Sequence, residues 1–139
     1  MAPARFQLYR VATARPSLDV AWRFVASNNR EVARSAPGQV GEDEARDLIA
    51  TLQRELAATK ASVHLDTDGR WRWDVRLGGR RLVTSSRPYF RRVECDATLT
   101  QFLRACPDAP VSTSVAVFRH VAAPPIVLPE QRGRARLVS

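Results

Sequence analysis

The sequence predicts an α+β fold assembled from two similar halves. Three observations predict it. Short segments alternate apolar and polar residues, the mark of strands with one buried face, and Arg70 to Leu77 does so most strictly, with Trp71, Trp73, Val75 and Leu77 set against Arg70, Arg72, Asp74 and Arg76. Two longer segments repeat apolar residues at helical spacing instead. The order strand, strand, turn, strand, loop, helix occurs twice along the chain.

In chain order, residues 6–12 alternate and read as a strand, and the loop after it carries Pro16. Val20 to Ala26 places Val20, Trp22, Phe24 and Ala26 on one face of a second strand. Ser27-Asn28-Asn29 is a turn in which Asn29 suits the left-handed conformation. Arg30 to Ser35 returns, and Pro37 and Gly38 end it. Glu42 to Thr59 is a helix with Ala45, Leu48, Ile49, Leu52 and Leu56 on its apolar face. Its acidic start, Glu42, Asp43, Glu44 and Asp47, complements the positive end of the helix dipole and reads as a solvated helix start, not a metal site. Ala61 to Asp66 is a strand with Val63 and Leu65 inward, and Asp68-Gly69 turns it into the segment starting at Arg70. Arg91 to Cys106 is the second helix, with Cys95, Leu99, Phe102, Leu103 and Cys106 on its apolar face and Pro107 as its stop. Ser112 to Val121 is apolar on both faces, which predicts a central strand or one covered on both sides.

Gly78-Gly79 supplies the two positive-φ residues of a tight hairpin turn. In that register Val75 faces Leu82, Trp73 faces Thr84, and Arg76 lies opposite Arg81 on the outer side. Like charges across a strand pair repel. Screening by water and Asp74, or a bound anion, relieves them; screening is the plainer reading because exposed arginines solvate freely. The Trp71/Trp73 pair reads as core, since a buried Trp fills a large share of a small interior.

The 139 residues carry 22 basic and 14 acidic side chains, a net charge of +8, and every basic residue except Lys60 is Arg. Such a balance favours polyanions electrostatically, although a genome bias toward Arg codons produces the same composition. No apolar run of about 18 residues predicts a spanning helix. The start, MAPARFQLYRV, has no apolar leader core, so the reading is cytoplasmic with no membrane contact. Cys95 and Cys106 fall on one helix, about 16 Å apart at about 1.5 Å per residue, beyond the roughly 7 Å a disulfide spans. They read as small core residues. From Ala122 the chain becomes Pro- and Arg-rich and reads as a flexible tail, residues 122–139, with Arg132, Arg134 and Arg136 able to touch an anionic partner.

The two halves run parallel, the second one residue shorter before its turn. Trp22-x-Phe24-x-Ala26, Asn28-Asn29 and Ser35 parallel Trp73-x-Val75-x-Leu77, Gly78-Gly79 and Ser85. With Trp71, Tyr89, Cys95 and the closing Cys106-Pro107-Asp108 added, the chain resembles the YegP-like family, a tandem-repeat domain of unknown function, over about residues 6–121. The first unit departs from the pattern: Gly38 and Gln39 stand where the family has a tyrosine, and Ala58-Thr59-Lys60 where it has Ala-Pro-Asp. The resemblance implies two tandem β3-α-β repeats, residues 1–60 and 61–121, forming one antiparallel sheet with two helices packed on one face. It carries over no catalytic residue.

Chemistry is sparse. Leu77-Gly78-Gly79-Arg80 sits in a hairpin and makes no phosphate loop. Ser85-Ser86 has no nucleophile elbow around it. His64 reads as solvent-facing, and His120 is too distant to complete a triad or, with two cysteines, a metal framework. No enzyme, cofactor or metal is expected. The one positive feature is basic: Arg70, Arg72, Arg76, Arg80, Arg81, Arg87, Arg91 and Arg92 within 23 residues, Asp74 as the only acid, and Tyr89 and Phe90 interleaved. Arginines with exposed aromatics suit single-stranded nucleic acid through phosphate pairing and base stacking; a polar sheet face made of Arg is the bland alternative. The expectation is a non-enzymatic binding or assembly protein, monomeric or at most a weak homodimer. The alternative is a nucleic-acid-associated protein using Arg70, Arg72, Arg76, Arg81, Arg87, Tyr89, Arg91 and Arg92.

Overall fold

Alternation and helical spacing place the elements within a few residues of their expected bounds in the computed structural model, which describes residues 2–117. The strands are β1 (Arg5–Arg10), β2 (Val20–Val25), β3 (Glu31–Ser35), β4 (Lys60–Leu65), β5 (Trp71–Leu77), β6 (Arg80–Ser85) and β7 (Val111–Val117). The helices are α1 (Glu42–Arg54) and α2 (Arg92–Ala105), each followed by a 3-10 turn, at Leu56–Ala58 and Cys106–Asp108. His120, the expected strand beyond Val117 and the tail from Ala122 lie outside the described residues.

All seven strands form one sheet in the order β4-β5-β6-β3-β2-β1-β7. Neighbours from β4 to β1 run antiparallel, but β7 lies parallel to β1, with Phe6 opposite Val111 and Arg10 opposite Val117. The sheet is therefore mixed, not antiparallel throughout as expected. The reason is connectivity: β7 follows α2 and re-enters from the helical layer, and a parallel neighbour requires such a crossover. The expected central place for this strand is also corrected. It is an outer strand that presents Val111 and Val115 to the core and leaves Val117 in solvent. Arg46 anchors it, donating to the carbonyls of Ser112 (2.8 Å) and Thr113 (3.1 Å).

Both helices cover one sheet face. Ala45, Ile49 and Leu52 of α1 and Cys95, Phe102 and Cys106, on α2 and the turn after it, join Phe6, Leu8, Trp22, Phe24, Trp73 and Val75 in one buried cluster. Leu48, Leu99 and Leu103, expected inside, are only partly buried at its rim. Phe102 is the hub, edge-on to Phe24 at 5.0 Å and to Phe6 at 6.3 Å, and tilted against Trp73 at 5.4 Å. Edge-to-face rings add about 0.5–1.5 kcal/mol per pair beyond burial.

The two hairpins share local devices. Trp22 N–H donates to Ser35 Oγ and Trp73 N–H to Ser85 Oγ, both at 3.3 Å. Each hairpin carries one extra residue, a β-bulge. Val32 is inserted between the pairs Phe24/Ala33 and Val25/Glu31, and Leu82 between Val75/Val83 and Arg76/Arg81. Both inserted side chains are buried. The bulge at Leu82 corrects the expected pairing of Val75 with Leu82 and of Trp73 with Thr84: Val75 faces Val83 and Asp74 faces Thr84. Arg76 does lie opposite Arg81. The turns behave as expected, with φ of 67° at Asn29, 58° at Gly78 and 82° at Gly79.

Leu65, expected inward, is 54% exposed. It is the last residue of the outermost strand; an open hollow lined by Leu56, Ala61, Leu103 and Pro107 lies at the strand's other end.

Candidate functional site

The uncovered sheet face is a polar lattice. A continuous cross-strand row runs Ser62, Asp74, Thr84, Arg34, Arg23, Gln7. Two carboxylates organise it. Glu31 pairs with Arg34 (2.7 Å) and Arg23 (3.5 Å) and accepts from Ser86 Oγ at 2.6 Å. Asp74 pairs with Arg81 (3.3 Å) and Arg76 (3.6 Å) and accepts from Ser62 Oγ at 3.0 Å. Strand alternation assigned Asp74 to the wet side, but the residue is only 2% exposed. The two arginines fold over it, which answers the Arg76–Arg81 repulsion within the protein. Tyr9 shares this face; burial, outweighing the pull of Arg34, holds its hydroxyl above the usual 10.0.

The expected basic residues therefore divide. Arg72, Arg76 and Arg81 belong to the open sheet face and are each paired with a carboxylate, Arg72 with Asp66 at 3.1 Å, and Arg76 and Arg81 sharing Asp74. The Asp66 carboxyl is raised by partial burial but pulled down further by the N–H groups of Arg70 and Asp68 and by Arg72, leaving it below 3.8. Arg80 pairs with Glu44 of α1 at 3.3 Å. Arg70, Arg87, Tyr89, Arg91 and Arg92 instead gather at one corner, where β5 begins and α2 starts. A two-way backbone bridge between Trp71 and Tyr89, at 2.7 and 2.8 Å, fixes the loop there. The Arg70 guanidinium lies 4.5 Å from the centre of the Phe90 ring, and that of Arg92 lies 5.2 Å from Trp71. Arg91 and Arg92 also reach Glu94 and Asp96, both at 3.7 Å.

Beside this corner is a crevice of about 480 Å³ between the β2–β3 turn, the loop of residues 87–90 and α2. Its walls include Asn28, Arg30, Arg87, Tyr89, Phe90 and Gln101. Its two carboxylates are committed, Glu31 to the sheet lattice and Glu94 to Arg91. Its two arginines, Arg30 and Arg87, have no carboxylate partner among the described residues, and neither has Arg70, which reaches the crevice through Phe90. The Phe90 ring is 76% exposed. Local pattern does not join Asn28 and Arg30 to this corner, because they lie in the first half of the chain, and Gln101 on α2 carries no charge to mark it; the Asn28-Asn29 turn beside Arg30 was the one available signal.

The remaining groups are structural. Ser85 accepts from the Trp73 amide and is buried, Ser86 donates to Glu31, and His64 is solvent-facing on β4. Burial raises the thiol of Cys106 to about 12 and, with help from Asp96, that of Cys95 to about 11. Among the described residues, no three of His, Cys, Asp and Glu gather closely enough to hold a metal ion, and no helix is long and apolar enough to cross a membrane.

A seven-stranded mixed sheet with two helices on one face defines an α+β protein of the YegP-like fold. The solution structure of YegP from E. coli, a protein of unknown function, matches at a TM-score of 0.59 and 12% identity, covering 84% of this chain and 94% of that one. A UPF0339 protein from Shewanella oneidensis matches at 0.60 and 11%, covering 84% and 92%. No protein-family model and no curated protein matches the sequence.

Proposed function

We propose that this chain is a non-enzymatic binding protein made of two tandem β3-α-β units, and that its ligand is an anion bearing a flat ring, held in the crevice beside Phe90. The shared Trp–Ser hydrogen bonds and bulges of the two hairpins support the tandem reading. One observation carries the binding reading: Arg30 and Arg87 line one crevice with an exposed aromatic ring, Phe90, on which Arg70 sits, and none of the three arginines is paired with a carboxylate among the described residues. Guanidinium groups take phosphate or carboxylate through paired hydrogen bonds, and an open ring face offers stacking. Titration of the labelled chain with a nucleoside monophosphate, followed by amide chemical shifts, is expected to move Arg30, Arg87, Phe90 and Thr98. Shifts confined to the sheet face, or none, remove the reading.

The second reading is a nucleic-acid-associated protein using the Arg70–Arg92 surface. The exposed Phe90 with Arg70 over it favours this, as a stacking platform beside a phosphate contact. The two readings part on Arg72 and Arg76. Weaker binding of single-stranded RNA after Arg72→Ala with Arg76→Ala supports the extended surface. Loss only after Arg30→Ala with Arg87→Ala supports the crevice.

A further inference from the structure

We infer that the free edge of β4 is a self-association surface on which a second copy of this chain pairs β4 to β4, antiparallel and about a two-fold axis at Val63. The inference is independent of the crevice. The antiparallel block from β4 to β1 has two outer edges. The β1 edge is covered by β7, whose Val111 and Val115 close the core there. The β4 edge has no strand on it among the described residues. An outer strand leaves a row of N–H and C=O groups available for pairing, and proteins usually blunt such edges with charge, proline or a covering element. The strand here, Lys-Ala-Ser-Val-His-Leu, has a single formal charge, at its first residue, and no proline.

The occupant follows from register. Residues opposite each other in a sheet share a face, so a two-fold axis must pass through a residue. Placing it at Val63 sets Ala61 against Leu65, Ser62 against His64 and Lys60 against Asp66. Ala61, Val63 and Leu65 lie on the helix side, opposite Val75, Trp73 and Trp71. Each copy would lay its exposed Leu65 over Ala61 of the other, beside the hollow that Ala61 lines with Leu56, Leu103 and Pro107. On the open face Lys60 lies opposite Arg76 of its own chain, a like-charge pair, with no carboxylate partner among the described residues. The Asp66 of a second copy, which already holds its own Arg72 at 3.1 Å, brings its carboxylate beside that ammonium as a shared partner. Apolar residues meet apolar residues and opposite charges meet, all within one register.

Sedimentation of the full chain between about 10 µM and about 1 mM should show mass rising from the monomer's 15.5 kDa toward twice that value. Lys60→Glu, which faces Asp66 of the other copy, and Leu65→Lys are each expected to raise the dissociation constant about tenfold, since the symmetry counts every change twice. Both positions are exposed, so circular dichroism should be unchanged. Val63→Cys, treated with oxidised glutathione to take up the two electrons, is expected to give a disulfide-linked dimer, because opposed residues of antiparallel strands lie about 4.5–5.5 Å apart, within bridging range. A chain that stays monomeric at about 1 mM, or a dimer untouched by both substitutions and not cross-linked through residue 63, overturns the inference.

Discussion

Asp74 is the carboxylate whose removal should be felt most on the open sheet face. It faces Arg81 at 3.3 Å and Arg76 at 3.6 Å while being almost wholly buried. The guanidinium groups are half exposed, so the attraction is close to its aqueous strength, about 1 kcal/mol per pair, and not the several-fold larger value of a dry interior. Asp74→Asn keeps a side-chain oxygen for Ser62 Oγ and removes only the charge. The Arg76–Arg81 repulsion, a few tenths of a kcal/mol, is then unscreened. The expected loss is about 2 kcal/mol, or about 6–8 °C in Tm for a chain of this size. Urea denaturation and thermal melting measure it. The same substitution in an Arg76→Gln, Arg81→Gln background should cost less than about half as much, which isolates the coupling. An Asp74→Asn chain within about 0.5 kcal/mol of the parent, or an undiminished cost without the arginines, refutes the reasoning.

Thr98→Val removes the acceptor of the buried Trp73 indole N–H (3.1 Å) and should cost about 1–3 kcal/mol in denaturant unfolding. The native Asp66 carboxyl lies below 3.8, so its stabilising share is complete above about pH 4 and fades as pH falls through the native value. Asp66→Asn should therefore flatten the acid limb of the stability profile. Cys95 and Cys106, buried and with thiols raised to about 11 and 12, should resist a thiol reagent at about pH 8 in the native protein. They should label only as fast as the core opens, so immediate labelling would contradict their placement.

The sequence was most informative where a local rule acts alone. Trp73 and Val75 alternate into the core, Asn29 and Gly79 take the left-handed turn positions, and Ala45, Ile49 and Leu52 turn one helix face inward. What it did not reveal depends on residues distant in the chain. The bulge at Leu82 displaces half of a hairpin register, and a single inserted residue leaves the apolar pattern almost unchanged. Asp74 is buried because two arginines fold over it, one of them from the next strand. The parallel pairing of β7 with β1 joins segments about a hundred residues apart, and no periodicity within either strand encodes it. For the same reason the arginines of residues 70–92 read as one surface, while the fold commits some to carboxylates and turns others toward a crevice whose far wall comes from the first half.

That parallel pairing has a mechanical consequence. Among the described residues the first strand along the chain is β1 and the last is β7, and the two point the same way. Tension between Arg5 and Val117 therefore loads their whole ladder lengthwise, in shear, with the Arg46 clamp adding to the grip. A hairpin pulled from its open end yields one bond at a time; here the bonds must give way together, so the molecule should bear stretching between these two points better than stretching across the β4 side.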